Sequence, residues 1–421
     1  MAETAPIATL WLPQYPSQKN GGEDYVAGRW EADPGESQVL DEGAAAWERL
    51  HERIAHRFGR VEVRRRVRRY LAGLLARVDR KNGCQITEAI GEAGPQGVQR
   101  LLNAAVWGAD EVRDDLRAYV MEHLGDADSG VLVIDETGVP KKGDASCGVA
   151  PQYCGTFGHT TNSQVGVFLG YASRHGLAFL DRALYLPRVW ANNPARCIAA
   201  GVPEGVGFAT KVALAETMLV RAFAAKVSAR WLVADSYYGR AHHFRRWLKE
   251  KQQAHVVGVL PAQVVEHDGQ RRRAKALAER LSGDTWVRRS AGEGSQGARI
   301  HDWAVIALSE ACAAGMRRWF LVRRSRTDLA DCASFRAFGP AATTADEFVR
   351  IGGMRWAVEE GFAQAKGEVG LDQYEVRRWD AWHRSVTLGL LAHAYLAIGS
   401  ARARQDPAGT GQKGAPNPVQ V

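Results

Sequence analysis

No stretch of this 421-residue sequence approaches the roughly 18–20 uninterrupted apolar residues of a membrane span. The start, Met-Ala-Glu-Thr-Ala-Pro, has neither the charged nor the apolar region of a signal peptide. A cytoplasmic protein without a membrane partner is the expectation. Cysteine is sparse: Cys84, Cys147, Cys154, Cys197, Cys312 and Cys332 are scattered, with no CxxC pair and no tight Cys/His grouping. That spacing argues against zinc ribbons and disulfide frameworks, and leaves reduced, buried thiols as the default. Helical or strand periodicity is missing from residues 1–40, and residues 401–421 hold few apolar side chains among many breakers. The first reads as a loosely ordered lead-in and the second as a disordered tail.

What the sequence has in excess is positive charge. Lys and Arg number 55 against 47 Asp and Glu, a net charge of +8, which favours a polyanionic partner such as nucleic acid without requiring one. From about 44 to 124 apolar residues recur at helical steps, first Trp47, Leu50, Ile54 and Phe58, then Val67, Leu71, Leu74 and Leu75, and later Leu116, Val120 and Leu124. This predicts a helical domain of about four helices over 41–126. Within it, Arg60, Arg64, Arg65, Arg66, Arg68 and Arg69 crowd one helix, with Glu62 the only acid among them. A charge run of this kind is either a solvated face or a set of phosphate contacts. The shortage of local acids favours the second, with Arg64, Arg65, Arg68 and Arg69 as DNA-binding candidates. Contacts of that type position DNA without reading its sequence.

Residues 131–138, Val-Leu-Val-Ile-Asp-Glu-Thr-Gly, form an apolar run of strand length that ends in an acidic pair. Four consecutive aliphatic residues fit a strand buried on both faces, with Gly138 supplying the freedom to leave it. Asp135 then sits where the strand stops, as a ligand-binding carboxylate or as a solvated turn. Residues 163–171 and 177–186 read as two more strands of a meander, joined through Gly176. A helix near 211–227 leads into Trp-Leu-Val-Ala-Asp235, a second apolar strand ending in an acid, and helix 240–252 with strand 255–260 repeats the alternation that implies parallel pairing. The expected class is mixed α/β, a sheet flanked by helices. Its first part is 127–260, a β-rich insertion follows over 261–325, and 326–400 completes the core with helices at 343–372 and 380–399.

Asp135 and Asp235 invite a third acid, because grouped carboxylates without a cation repel one another, whereas Mg²⁺ takes oxygen ligands. Helix 343–372 offers Arg355-Trp-Ala-Val-Glu-Glu-Gly-Phe-Ala-Gln-Ala-Lys366. At about 100° per residue Arg355, Glu359 and Lys366 share one stripe, while Glu360 points roughly 100° away from Glu359. On this helix alone, an Arg355–Glu359 surface pair is as good a reading as catalysis. Glu136, beside Asp135, should face the opposite side of its strand.

Together Ile-Asp135-Glu-Thr-Gly, Ala-Asp235-Ser-Tyr-Tyr-Gly239 and Arg355-x3-Glu359-x6-Lys366, in this order over about 45–399, resemble the DDE transposases of bacterial insertion sequences. The resemblance implies a ribonuclease-H-like core behind a helical N-terminal domain, with a β insertion between the second Asp and the Glu. It implies that Asp135, Asp235 and Glu359 bind two Mg²⁺ ions, Mn²⁺ being a substitute, for nicking at element ends and for attack of the freed 3′-hydroxyl on target DNA. By the same resemblance Arg355 and Lys366 contact phosphates of double-stranded DNA, and the protein works as a homodimer on the DNA, in the cytoplasm on the nucleoid. The related signature often has Tyr three positions before the Arg, where this chain has Gly352. Tyr238 is expected either to contact DNA in its place or to pack beside the strand end. Trp286 or Trp303 is expected to stack on an extruded base or, as the commoner role for Trp on a β insertion, to fill its core. Two other functions stay open: a nuclease that stops at cleavage, and a transposase-derived DNA-binding protein that no longer catalyses.

Overall fold

The computed structural model describes residues 34–155, 157–294, 297–310 and 312–405. Residues 1–33 of the expected lead-in and 406–421 of the expected tail lie outside them, while 34–40 and 401–405 are helical. The described chain forms two compact units, one of residues up to 123 with 364–376 and 380 onward, the other of 124–363 with 377–379.

The first unit opens with α1 (Pro34–Ala55), α2 (Val61–Leu75), α3 (Gly83–Ala89), α4 (Gln96–Asn103) and α5 (Ala109–Leu124). Five helices stand where about four are expected, because Gly91 adopts positive φ and ends α3 before Pro95 opens α4. The periodic apolar residues lie inward: Trp47, Leu50, Ile54 and Phe58 are buried, as are Val67, Leu71, Leu74 and Leu75. Asn82 caps α3 by accepting from the N–H groups of Cys84 and Gln85.

The second unit is built on one sheet. Its strands and helices follow as β1 (Val131–Pro140), β2 (Ala150–Cys154), β3 (His159–Ser173), β4 (Gly176–Leu184), α6 (Arg188–Ala191), α7 (Pro194–Ala199) and α8 (Lys211–Ala224). Next come β5 (Trp231–Ala234), α9 (Ser236–Gly239), α10 (His242–Glu250), β6 (Ala254–Val259), β7 (Val264–His267), β8 (Gln270–Arg273) and α11 (Ala274–Ala278). The run closes with β9 (Trp286–Gly294), β10 (Gly297–Leu308), β11 (Met316–Arg324), β12 (Cys332–Pro340) and α12 (Ala345–Val369). The strand order is β2-β3-β1-β5-β6-β12-β11-β10-β9, with β4 on β3. Among the described strands, only β1, β5 and β6 run parallel to their neighbours in the middle, and all residues of β5 and β6 are buried, as continuous apolar runs require of central parallel strands. The class is mixed α/β, as expected.

Two local expectations change. β1 does not stop at Asp135; it continues to Pro140, paired with β3 as far as Pro140↔Ser163. What ends there is the pairing with β5, whose last rung is Ile134↔Ala234. Gly138 is no exit from the strand: a Cβ on it would lie 2.5 Å from Cys154 Sγ, so the glycine admits β2's cysteine. Strands β9, β10 and β11 of the 261–325 segment also continue the main sheet, since β12 joins β6 to them, while β7 and β8 pair only with each other. A buried cluster of Val259, Val265, Leu277, Leu308, Phe320 and Val322 seals the β7–β8 hairpin and α11 to that extension.

Thr344 caps α12, its hydroxyl accepting from Glu347 N–H at 3.2 Å. The Glu347 carboxylate does not reach back to the cap; it takes a two-pronged bond from Arg350, 2.8 Å on each arm. The last helix, α13 (Trp379–Gln405), groups largely with the helical unit. By length and composition alone it would cross a membrane, yet 78% of its most apolar window is buried inside the protein. Tyr395 meets Trp47 edge-on at 5.4 Å and donates to the Gly43 carbonyl at 3.0 Å, so α13 is the core helix of that unit.

Candidate active site

The register places the two aspartates side by side. Each directly follows a residue of the last β1–β5 rung, Ile134↔Ala234, on neighbouring parallel strands. Adjacent strands are about 4.8 Å apart. Asp235 caps α9, accepting from Tyr237 N–H at 2.8 Å and Tyr238 N–H at 3.3 Å. Two glycines make this turn possible. A Cβ on Gly258 would lie 2.5 Å from Ser236 N, and one on Gly239 would lie 2.0 Å from the Gly258 carbonyl oxygen, so the turn is pressed onto β6.

The face is fixed by β3. Asp135 lies opposite Phe168, and cross-strand neighbours share a face. Phe168 meets Phe362 of α12 at 5.3 Å, three residues beyond Glu359. Asp135 thus faces α12. Glu136 faces away, as alternation predicts, and there it bonds Lys211 Nζ at 2.7 Å and the Tyr238 hydroxyl at 2.5 Å. Tyr238 is fully buried. This corrects its candidacy for DNA contact: its hydroxyl is committed to Glu136 and no ring surface is left for a ligand.

Burial pushes the Asp135 carboxyl up to about 7, with Asp235 and Glu136 adding repulsion and the Glu136 N–H and Arg355 opposing it. Asp235 is also raised, first by burial and then by Glu136, against Arg355 and its two N–H donors. Arg355 therefore acts on both aspartates, and it pairs with Glu359 at 3.0 Å. The Arg355 and Glu359 side chains are 42% and 51% exposed, so the helix holds the surface pair that spacing allowed. Among the described residues no three His, Cys, Asp or Glu side chains converge as a metal site; Arg355 is the cation these acids share. Glu360 is exposed and acts on Arg299 instead. Lys366 is half-buried and lies in the stretch of α12 grouped with the helical unit.

A cavity of about 520 Å³ adjoins this face, lined among others by Ser236, Gly258, Trp303, Arg355, Trp356 and Glu359. Gly352 has a packing reason: a Cβ there would stand 2.9 Å from the Trp303 ring, which leaves no room for a tyrosine. Trp303 itself is buried and stacks on Phe335, the core role rather than base stacking. Trp286 is partly buried, with Arg324 4.0 Å over its ring.

On α2 the arginines divide. Arg64 donates to the Phe58 carbonyl at 2.6 Å, Arg66 pairs with Glu92 at 3.5 Å and Arg68 with Glu48. Arg65 and Arg69 are exposed and make no ion pair among the described residues. Sequence reading missed Glu48, which arrives from α1, Glu92, from the loop between α3 and α4, and Lys211, which no motif marks.

The sheet thus brings two acids to adjacent ends of parallel strands, with the charged helix α12 over them. A family model described as DDE superfamily endonuclease matches residues 53–319, more than half of the chain, and the chain belongs to that family. It is 26% identical over 196 residues to a probable transposase for insertion sequence element IS701 from Microchaete diplosiphon, 46% of this chain and 48% of that protein. The chain thus matches about half the length of this relative. Among solved structures it is similar to a piggyBac transposase synaptic complex with hairpin DNA, at 10% identity and a TM-score of 0.36, over 75% of this chain and 59% of that one.

Proposed function

We propose that this chain is the transposase of an insertion sequence, cutting DNA at the element ends and joining the freed 3′-hydroxyl to target DNA. The observation that carries the reading is the pair of half-buried aspartates at the last β1–β5 rung, both raised in pKa and both acted on by one arginine of α12. A central strand flanked by an antiparallel meander and two parallel partners supports a ribonuclease-H-like core.

The donor set is hard oxygen throughout, held where like charges repel, and this fits Mg²⁺ or Mn²⁺. Asp135, Asp235 and Glu359 would hold two such ions, which supply a water of lowered pKa and charge neutralisation at phosphorus. Arg355 neutralises the acids until DNA arrives. An exposed i,i+4 pair is worth only about 0.3–0.5 kcal/mol, so its guanidinium exchanges Glu359 for a DNA phosphate at little cost. Asp235 stays oriented by its α9 cap, and Glu136 is held on the far face by Lys211 and Tyr238. In the first step water adds to phosphorus and the 3′-oxygen leaves with a proton; in the second that 3′-hydroxyl attacks a target phosphodiester and expels its 3′-oxygen. Lys366 serves as a further phosphate contact, and Arg65 and Arg69 as contacts from α2. Joining two ends calls for two protomers, so the DNA-bound form is a homodimer.

The test uses purified protein, labelled DNA carrying the inverted repeats that flank the coding region, and Mg²⁺. Joined product is expected. Cleavage alone would reduce the protein to a nuclease, and binding alone to a DNA-binding derivative. Glu359→Gln should abolish cleavage with DNA binding kept, and Glu360→Gln should be mild; the reverse order would mean that the third ligand is misassigned.

A further inference from the structure

The sheet face turned away from α12 carries a second charged cavity. Phe338 of β12 lies opposite His255 of β6 and Arg318 of β11, so the three share a face, and Arg336 joins them two residues along β12. Phe335, which stacks on Trp303 beside the carboxylate site, is three residues from Phe338 and so on the other face. Over Phe338 lies a cavity of about 380 Å³, closed by α10 and the β7–β8 hairpin.

Five cations line it, Arg245, Lys249, Arg271, Arg318 and Arg336, against two acids, Glu266 and Glu310. Only Arg318 is paired with a carboxylate among the described residues, that of Glu310. Arg245 and Arg336 spend one N–H each on the carbonyls of Gly239 and Val264. The Nε–H groups of Arg318 and Arg336 are buried with no acceptor among the described residues. Lys249 is half-buried and Arg271 is exposed, and neither makes a hydrogen bond or ion pair there. Burial and the neighbouring Arg336 and Arg318 push Arg245 down to about 10, and Lys249 is lowered by burial and the same arginines. Like charges gathered this way destabilise the fold unless an anion offsets them.

We propose that this cavity is a phosphate-binding site, independent of the carboxylate site on the opposite face. Planar guanidinium groups and a flexible ammonium converging from four elements suit the tetrahedral oxygens of one or two phosphate groups. The source is either the backbone of duplex DNA or a free phosphorylated compound.

Calorimetric titration of the full chain with inorganic pyrophosphate in EDTA tests this, since no divalent ion is then present at the carboxylates. Saturable binding at one site is expected, weakened about tenfold or more in Lys249→Gln and Arg271→Gln and unchanged in a Lys226→Gln control at an exposed lysine outside the cavity. Absence of saturable binding, or equal affinity in the two pocket variants, would overturn the proposal. A duplex that displaces pyrophosphate, with a log–log salt slope for duplex binding lowered by about one in Lys249→Gln, assigns the DNA backbone. Pyrophosphate binding with an unchanged duplex slope assigns a free phosphate compound.

Discussion

The arginines of α2 and the two aspartates of the sheet treat like charge in opposite ways. Six arginines that are neighbours in the chain are dispersed in space, and two of them find carboxylates on other segments. Two aspartates 100 positions apart are brought to adjacent strand ends, where burial raises both, with repulsion from Glu136 adding to each and from Asp235 to Asp135. Density of charge along a sequence is therefore a poor measure of density in space. Where a fold gathers like charges despite the repulsion, a ligand of opposite sign is the natural explanation.

The largest expected effect tests the gathered charges. Asp135→Asn or Asp235→Asn should lower DNA cleavage by on the order of a thousandfold, about 4 kcal/mol of transition-state stabilisation, while the melting temperature holds or rises because a repulsion is removed. Nicking assays beside thermal melts check it. A variant that melts much earlier would mean that the aspartates are structural, like the paired arginines.

A buried imidazole provides a second case of charge kept apart. Burial pushes His255 down to about 4, with Lys249, Arg245 and Arg318 adding to it against the hydrogen bond to Gln253. The unfolded chain therefore binds more protons between about pH 6.5 and 4, so stability is full above that window and falls as pH drops through it, by up to about 3 kcal/mol. Denaturant titrations across that range should show the loss, and His255→Gln should flatten it.

Glu136 is acidic like its neighbour Asp135 but is already paired. Glu136→Gln should leave cleavage within about tenfold of the parent and lower stability by about 1–2 kcal/mol, through Lys211 and Tyr238 left short of a charged acceptor. Loss of cleavage on the thousandfold scale would move Glu136 into the reacting site.

The smallest effect separates the α2 arginines from one another. Arg65→Gln with Arg69→Gln should reduce the log–log salt slope of DNA binding by about 1.8, at about 0.9 per phosphate contact. Arg66→Gln with Arg68→Gln should leave the slope alone and alter stability by at most about 1 kcal/mol. Equal slopes in the two pairs would erase the distinction that the ion pairs draw.

Sequence by itself determined what depends on neighbours in the chain. Apolar periodicity marked the buried stripes of α1 and α2, continuous aliphatic runs marked β1, β5 and β6 as central strands, and Thr344 marked the start of α12. The opposed faces of Asp135 and Glu136 followed from strand alternation, and the separate directions of Glu359 and Glu360 from the helical turn. Only tertiary structure decided which residues meet across long separations. It continued β1 past Asp135, because β3 goes on satisfying its backbone; it extended the sheet through β12 to β9; and it turned Tyr238 inward onto Glu136. It also drew Glu48 and Glu92 to the arginines and gathered the cations of α10, β8, β11 and β12 around one cavity. The physical reason is range: propensity and periodicity act over a few residues, whereas burial, ion pairing and charge repulsion are set by distances that the chain reaches only once it is folded.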